Sequence, residues 1–139
     1  MSGVSGAGSS SLMNAAVEAH DLARTLGADE VSVSVSRSSE ISLQRRAGKL
    51  EQSQRATSLG LSVSLLVGDR FSSHSTSDLR PEALRAFLER AVDATRALEP
   101  EAERRQADSA LCGRGTPDEV LDQNDSTWSA LSASDRGEK

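Results

Sequence analysis

Between Arg70 and Pro81 the chain reads RFSSHSTSDLRP, a stretch that holds the residue types of a hydrolytic triad. Hydroxyls stand at Ser72, Ser73, Ser75, Thr76 and Ser77, an imidazole at His74 and a carboxylate at Asp78. A triad needs nucleophile, base and orienting acid in mutual hydrogen-bond reach, with donors for the oxyanion. In a strand, neighbouring side chains leave opposite faces, so Ser73 and His74 cannot both aim inward. The stretch therefore reads as a polar strand running into a helix cap. The other histidine, His20, falls on the polar side of a helical segment. A zinc site needs three or four ligands at workable spacing, which these two histidines do not supply, and both read as exposed side chains.

Arg45, Arg46, Lys49 and Arg55, with Arg37 before them, form a basic cluster that could meet an anionic partner or another subunit. No aromatic residue interleaves with them to stack nucleobases, so a solvated sheet face or a subunit contact is the favoured reading. Gly113 and Gly115 around Arg114 lack the preceding strand and following helix of a phosphate loop. Asp122, Asn124 and Asp125 lack the glycine and terminal glutamate of a calcium loop. Cys112 is the single cysteine; it excludes an internal disulfide, suits a reducing compartment and reads as an incidental thiol.

The elements that would position these residues centre on Arg45 to Leu79. Leu59, Leu61, Val63, Leu65 and Val67 share one parity, and Gly60, Ser62 and Ser64 hold the other, the pattern of a strand with one wet face. Gly68 and Asp69 form a turn, Arg70 to Thr76 return as a partner strand, and Asp78 to Pro81 start a helix. Upstream, Val31, Val33 and Val35 alternate with serines. Ile41 and Leu43 alternate with Ser42 and Gln44 after a connection at Ser38 and Ser39, so these two runs read as a hairpin. A turn at Gly48 leads to a polar strand from Leu50 to Ser58, at or near an edge. One helix is predicted over Leu12 to Leu26, closed by Gly27, and a second over Leu84 to Leu98, begun by Pro81. Later start signals lie at Thr116, Pro117 and Glu119, reaching Leu121, and at Ser132 to Asp135. A helix start so close to the last residue points to a piece of a longer protein.

Charge and composition bound the rest. Residues 1–98 hold 11 acidic and 11 basic side chains, so the formal charge of -5 arises in residues 99–139, with 10 acidic and 5 basic. A neutral folded part argues against a nucleic-acid module, which must neutralise many phosphates. Phe71, Phe87 and Trp128 are the only aromatics, so the core is aliphatic and thin. The opening MSGVSGAGSSS has neither the basic nor the apolar region of a secretory signal, and no apolar run approaches a membrane span. These features predict a cytoplasmic protein.

The fold expected is α+β: two helices on one face of an antiparallel sheet of about five strands, with a poorly ordered C-terminal tail. Its parts are a flexible arm at 1–10, a domain at 11–98, and an acidic linker or truncated next segment at 99–139. LGADEVSVSVSR, LQRRAGKLEQSQRATSLGLSVSLLVGDRFSSHSTSDL and EALRAFLERAVDATRAL, in that order, resemble the N-terminal domain of the TldD/PmbA family, in its PmbA or TldE branch. The resemblance rests on Gly27 to Glu30, Gly48 to Glu51, Gly60, Gly68 to Arg70 and Thr76 to Leu79. It implies a non-catalytic domain of a metallopeptidase system acting on peptides or unfolded proteins. The partner it implies is a metal-bearing TldD-like subunit or a second copy. Zinc would belong to that partner or to a missing C-terminal part, with no cofactor in this chain and no catalytic residue carried over. A free-standing peptide-binding or gyrase-modulating module is the alternative.

Overall fold

The computed structural model describes residues 4–113 and 125–137. Helix α1 spans Val4–Thr25, strand β1 Glu30–Arg46, β2 Lys49–Val67, β3 Arg70–Thr76 and helix α2 Pro81–Arg96. The strands form one sheet in the order β1-β2-β3.

Among the described residues three strands replace the expected five. The runs 31–36 and 41–44 are one strand of 17 residues, and 50–58 and 59–67 are one of 19. The reason is local. A two-residue hairpin turn matched to strand twist needs positive φ at both central residues. Ala47 and Gly48 supply it at 49° and 75°, and Gly68 and Asp69 at 52° and 60°, whereas Ser38 and Ser39 do not. A serine pair is compatible with extended backbone, so the chain runs through it.

One compact unit comprises Met1–Ser38 and Ser58–Asp108. Its core follows the parity of β2: Leu61, Val63, Leu65 and Val67 are buried, as are Ala19 and Ala23 of α1 and Leu84, Leu88, Ala91 and Val92 of α2. Full burial of one Leu or Val contributes about 1.5–3 kcal/mol, and the alanines let α1 approach closely. β2 and β3 pair antiparallel from Leu61 opposite Thr76 to Val67 opposite Arg70. The helix-facing side of β3 thus carries Arg70, Ser72, His74 and Thr76.

The opposite face holds Leu66, 1 % exposed, and its cross-strand partner Phe71. The chain from Glu99 to Asp108 is laid there as a strap. Glu101 N–H donates to the Asp69 carbonyl at 2.7 Å, and the Gln106 side-chain amide donates to the Ser64 carbonyl at 2.9 Å. Arg105 pairs with the Asp69 carboxylate at 2.8 Å, and the Arg104 guanidinium lies 4.5 Å from the Phe71 ring centroid.

α1 begins at Val4, ahead of the periodic run that predicts it, and ends in a Schellman cap. Ala28 N–H donates to the Ala23 carbonyl and Gly27 N–H to Arg24, each at 3.1 Å, with Gly27 at φ 105°. α2 begins at Pro81, whose missing N–H costs nothing there. Just before it, Asp78 accepts hydrogen bonds from the Arg80 side chain and backbone, which hold its carboxyl down to about 2.

The second compact unit comprises Ser39–Thr57 and Ser109–Lys139. Its first part is a two-stranded ribbon, the outer halves of β1 and β2, in which Ile41 and Leu43 are half-buried and nearly every other residue is exposed. Residues 50–57 of β2 lie beyond the register of β3, so among the described residues β3 does not pair with this polar stretch, which is the outer half of β2 and not the separate strand expected. A 3-10 turn at Ser109–Leu111 and helices α3, Ser126–Ala130, and α4, Ala133–Gly137, follow. The Ser132–Asp135 start signal forms a reciprocal cap: Asp135 N–H donates to Ser132 Oγ at 3.2 Å, and Ser132 N–H to Asp135 Oδ2 at 3.0 Å. The Thr116, Pro117 and Glu119 pattern lies outside the described residues.

A Cβ on Gly27 would stand 2.6 Å from Arg96 Nη2, which donates to the Leu26 carbonyl, and the positive φ adds strain. Gly27→Ala is expected to lower the urea unfolding free energy by about 1–3 kcal/mol. Gly113→Ala, at an exposed site with open space around it, should leave it nearly unchanged.

Candidate functional site

The Ser/His stretch on β3 is split by the pleat as the sequence requires. Ser73 faces away from the helices and meets Ser64 across the strands, Oγ to Oγ 2.9 Å. His74 faces α2, with its ring edge-on to Phe87 at 6.5 Å. What the sequence reading missed is the pair two residues apart. Ser72 shares the helix-facing side with His74, and its Oγ lies 2.8 Å from His74 Nε2 and 2.5 Å from Thr95 Oγ1.

The direction of this chain of hydrogen bonds follows from its inner end. Thr95 is fully buried in α2 and its Oγ1 lies 2.6 Å from the Ala91 carbonyl, which can only accept. Thr95 therefore spends its single proton on Ala91 and accepts from Ser72. Ser72 in turn accepts from His74, which must carry a proton on Nε2. The imidazole thus donates to Ser72 and cannot act as its base. Asp78 is turned to Arg80, so no triad is assembled. The relay instead satisfies the polar groups that β3 brings under α2. Its signal in the sequence was the i, i+2 spacing of Ser72 and His74; Thr95 was legible only as a member of the α2 stripe.

Where β3 ends, an open hollow of about 530 Å³ is lined by Ser36, Gly60, Leu61, Ser62, Ser75, Thr76 and Ser77. Its lining offers hydroxyls and no charged side chain. Arg45, Arg46, Lys49 and Arg55 all lie on the ribbon and are exposed. The first three surround the Ala47–Gly48 turn. Arg55 lies six residues further along β2, about 20 Å away. Arg46 approaches Glu51 at 3.7 Å, the one ion pair of these four among the described residues.

His20 is exposed, with Nδ1 3.0 Å from Asp21. Asp125 accepts from Thr127 N–H and Oγ1 at the start of α3, and these bonds lower its pKa. Cys112 and Gly113 are exposed, whereas Arg114, Gly115, Asp122 and Asn124 lie outside the described residues. Among the described residues no three His, Cys, Asp or Glu side chains stand close enough to hold a metal ion. No helix among them is long and apolar enough to cross a membrane.

This geometry defines a class: an α+β domain with two helices on one face of a three-stranded antiparallel sheet and an extended basic hairpin. Residues 31–95 match the family model described as PmbA/TldA metallopeptidase domain 1. Residues 31–95 thus carry the first domain of the PmbA/TldD family. A crystal structure of a candidate modulator of DNA gyrase from Bacteroides thetaiotaomicron is 30% identical, with a TM-score of 0.79 over 88% of this chain and 28% of that one. The structure of TldE from Thermococcus kodakarensis shares the fold at 14% identity, with a TM-score of 0.57 over 66% of this chain and 21% of that one. The chain therefore spans less than a third of the length of either protein. No curated protein matches it.

The hydrogen-bond relay generates a specific expectation. Thr95→Val removes the hydroxyl and leaves Ser72 without its acceptor, which should cost about 1–3 kcal/mol. Nitrogen chemical shifts of His74 in the parent protein at neutral pH should show the proton on Nε2, and a proton on Nδ1 alone would contradict the assigned direction.

Proposed function

We propose that this chain serves as the first, non-catalytic domain of a PmbA/TldE-like component in a two-subunit metallopeptidase system. Its role is to assemble the complex or to shape the path of peptides and unfolded proteins toward chemistry housed elsewhere. The observation that carries this reading is the match of residues 31–95 to the family's first domain, supported by the likeness to the Bacteroides protein over 88% of the chain. The site geometry agrees with it. The His74–Ser72–Thr95 relay is consumed in packing α2 onto β3, while the hydroxyl-lined hollow and the ribbon remain accessible.

In this reading Arg45, Arg46 and Lys49 contact a subunit or an acidic peptide, and zinc belongs to a TldD-like partner. Exposed charges of this kind affect association rate and salt dependence more than stability. Co-expression with a TldD-like subunit tests it. The chain should co-purify with that subunit and alter its hydrolysis of an unfolded substrate. Reversing Arg45, Arg46 and Lys49 to Glu should weaken co-purification at least tenfold without changing the thermal midpoint by more than a few degrees. A chain that neither binds the subunit nor changes its rate would contradict the proposal.

A further inference from the structure

Leu66 is 1 % exposed, yet its parity turns it away from the buried cluster under α1 and α2. It shares the other face of the sheet with Ser62, Ser64 and Ser73 and with its cross-strand partner Phe71. What closes over it is the strap. The anchors of the strap stand on both sides of Leu66 along β2. On one side the Asp69 carbonyl and carboxylate take Glu101 N–H and Arg105, and on the other the Ser64 carbonyl takes the Gln106 side-chain amide. Gln106 N–H reaches further, to Glu30 Oε2 at 3.1 Å, and Arg104 lies over Phe71. Arg70 Nε donates to the Leu98 carbonyl at 2.7 Å and fixes the point from which the strap departs.

The strap is chemically unlike the core behind it. Residues 99–108 include no leucine, isoleucine, valine or aromatic residue, and all of them except the half-buried Gln106 are exposed. The strap therefore covers Leu66 and Phe71 without burying a large apolar side chain of its own. Its ion pair to the sheet leaves the Arg105 and Asp69 side chains 57 % and 47 % exposed, so water and salt weaken it. Segments with few buried apolar contacts and exposed hydrogen bonds open locally, at far lower cost than the whole fold. The buried cluster contains no residue of the strap and can stay packed while the strap lifts.

We propose that residues 99–108 form a releasable latch, which opens as a unit from Asp69, Ser64 and Glu30 while α1, α2 and the sheet remain folded. Opening has two effects at once. It uncovers Leu66 and Phe71 on a serine-rich face, and it moves the start of free chain from Gln106 back to Leu98. The second effect adds up to about 25 Å to the reach of the segment that follows. The latch thus couples exposure of this apolar pair to the path of the following chain. The inference rests on the contacts of the strap and does not depend on the metallopeptidase reading.

Thiol labelling of two proteins, both in a Cys112→Ser background, reads the opening. Leu66→Cys places a thiol beneath the strap, and Leu65→Cys places one in the helix-covered core a residue away. The Leu66→Cys thiol should react at least about tenfold faster than the Leu65→Cys thiol and at least about tenfold slower than in urea-unfolded chain. NaCl at about 1 M, where the screening length is about 3 Å, should speed it about two- to fivefold and leave the Leu65→Cys thiol unchanged. Asp69→Asn should do the same, since asparagine tolerates the positive φ of that turn. In the parent chain, whose fold no substitution disturbs, salt should quicken amide exchange at Glu101 and Gln106 but not at Val63 and Leu65. Equal labelling of the two thiols overturns the proposal, because the strap would then open only with the whole fold. So does a Leu66→Cys thiol as reactive as in unfolded chain, or salt that quickens exchange at neither Glu101 nor Gln106.

Discussion

The structure depends on one constraint, the parity of β2 from Leu61 to Val67. Side chains on a strand alternate, so placing Leu61, Val63, Leu65 and Val67 under the helices leaves Ser62, Ser64 and Leu66 no choice of face. From this follow the docking of α1 through Ala19 and Ala23 and of α2 through Leu84 and Leu88. The two tight turns follow as well, because the register they set must keep β3 in phase with β2. A one-residue slip at Gly68–Asp69 would exchange His74 for Ser73 beneath α2.

Two polar devices complete what the apolar face begins. On the helix side, β3 offers Ser72, His74 and Thr76 rather than aliphatics. Burial of hydroxyls is tolerated because Thr95, Ser72 and His74 pass hydrogen bonds in one direction, ending on the Ala91 carbonyl. On the far side, Leu66 and Phe71 are apolar residues on a serine-rich face, and the Glu99–Asp108 strap covers them. Asp69, held at positive φ in the β2–β3 turn, anchors that strap through its carbonyl and its carboxylate. A chain with only three aromatic residues builds its small core with alanines for close approach and single polar anchors at the margins.

Much of this was legible beforehand. The helical stripe from Leu84 to Thr95, the cap at Gly27, the turns at Gly48 and Gly68, and the parity of β2 are written in residue types and periods, whereas Leu98, read as the last member of the stripe, lies past the end of α2 and is exposed. The number of strands was not, since a serine pair reads as punctuation although it carries no positive φ, and the chain continues through Ser38 as extended backbone. The strap was invisible because its contacts are isolated pairings with residues far back along the chain, which leave no period. At the site, pleat logic correctly separated Ser73 from His74. The Ser72–Thr95 contact needed α2 to be in place over β3. Function came from the order of short motifs rather than from any chemical constellation.

Amide hydrogen exchange across the chain tests the central claim most directly, that the fold is held by the Leu61–Val67 face under α1 and α2. The account predicts the slowest exchange in Leu61–Val67 and in the buried turns of α2. Residues 50–57, on the ribbon beyond the reach of β3, should exchange orders of magnitude faster. Protection in 50–57 equal to that in Leu61–Val67 would contradict it.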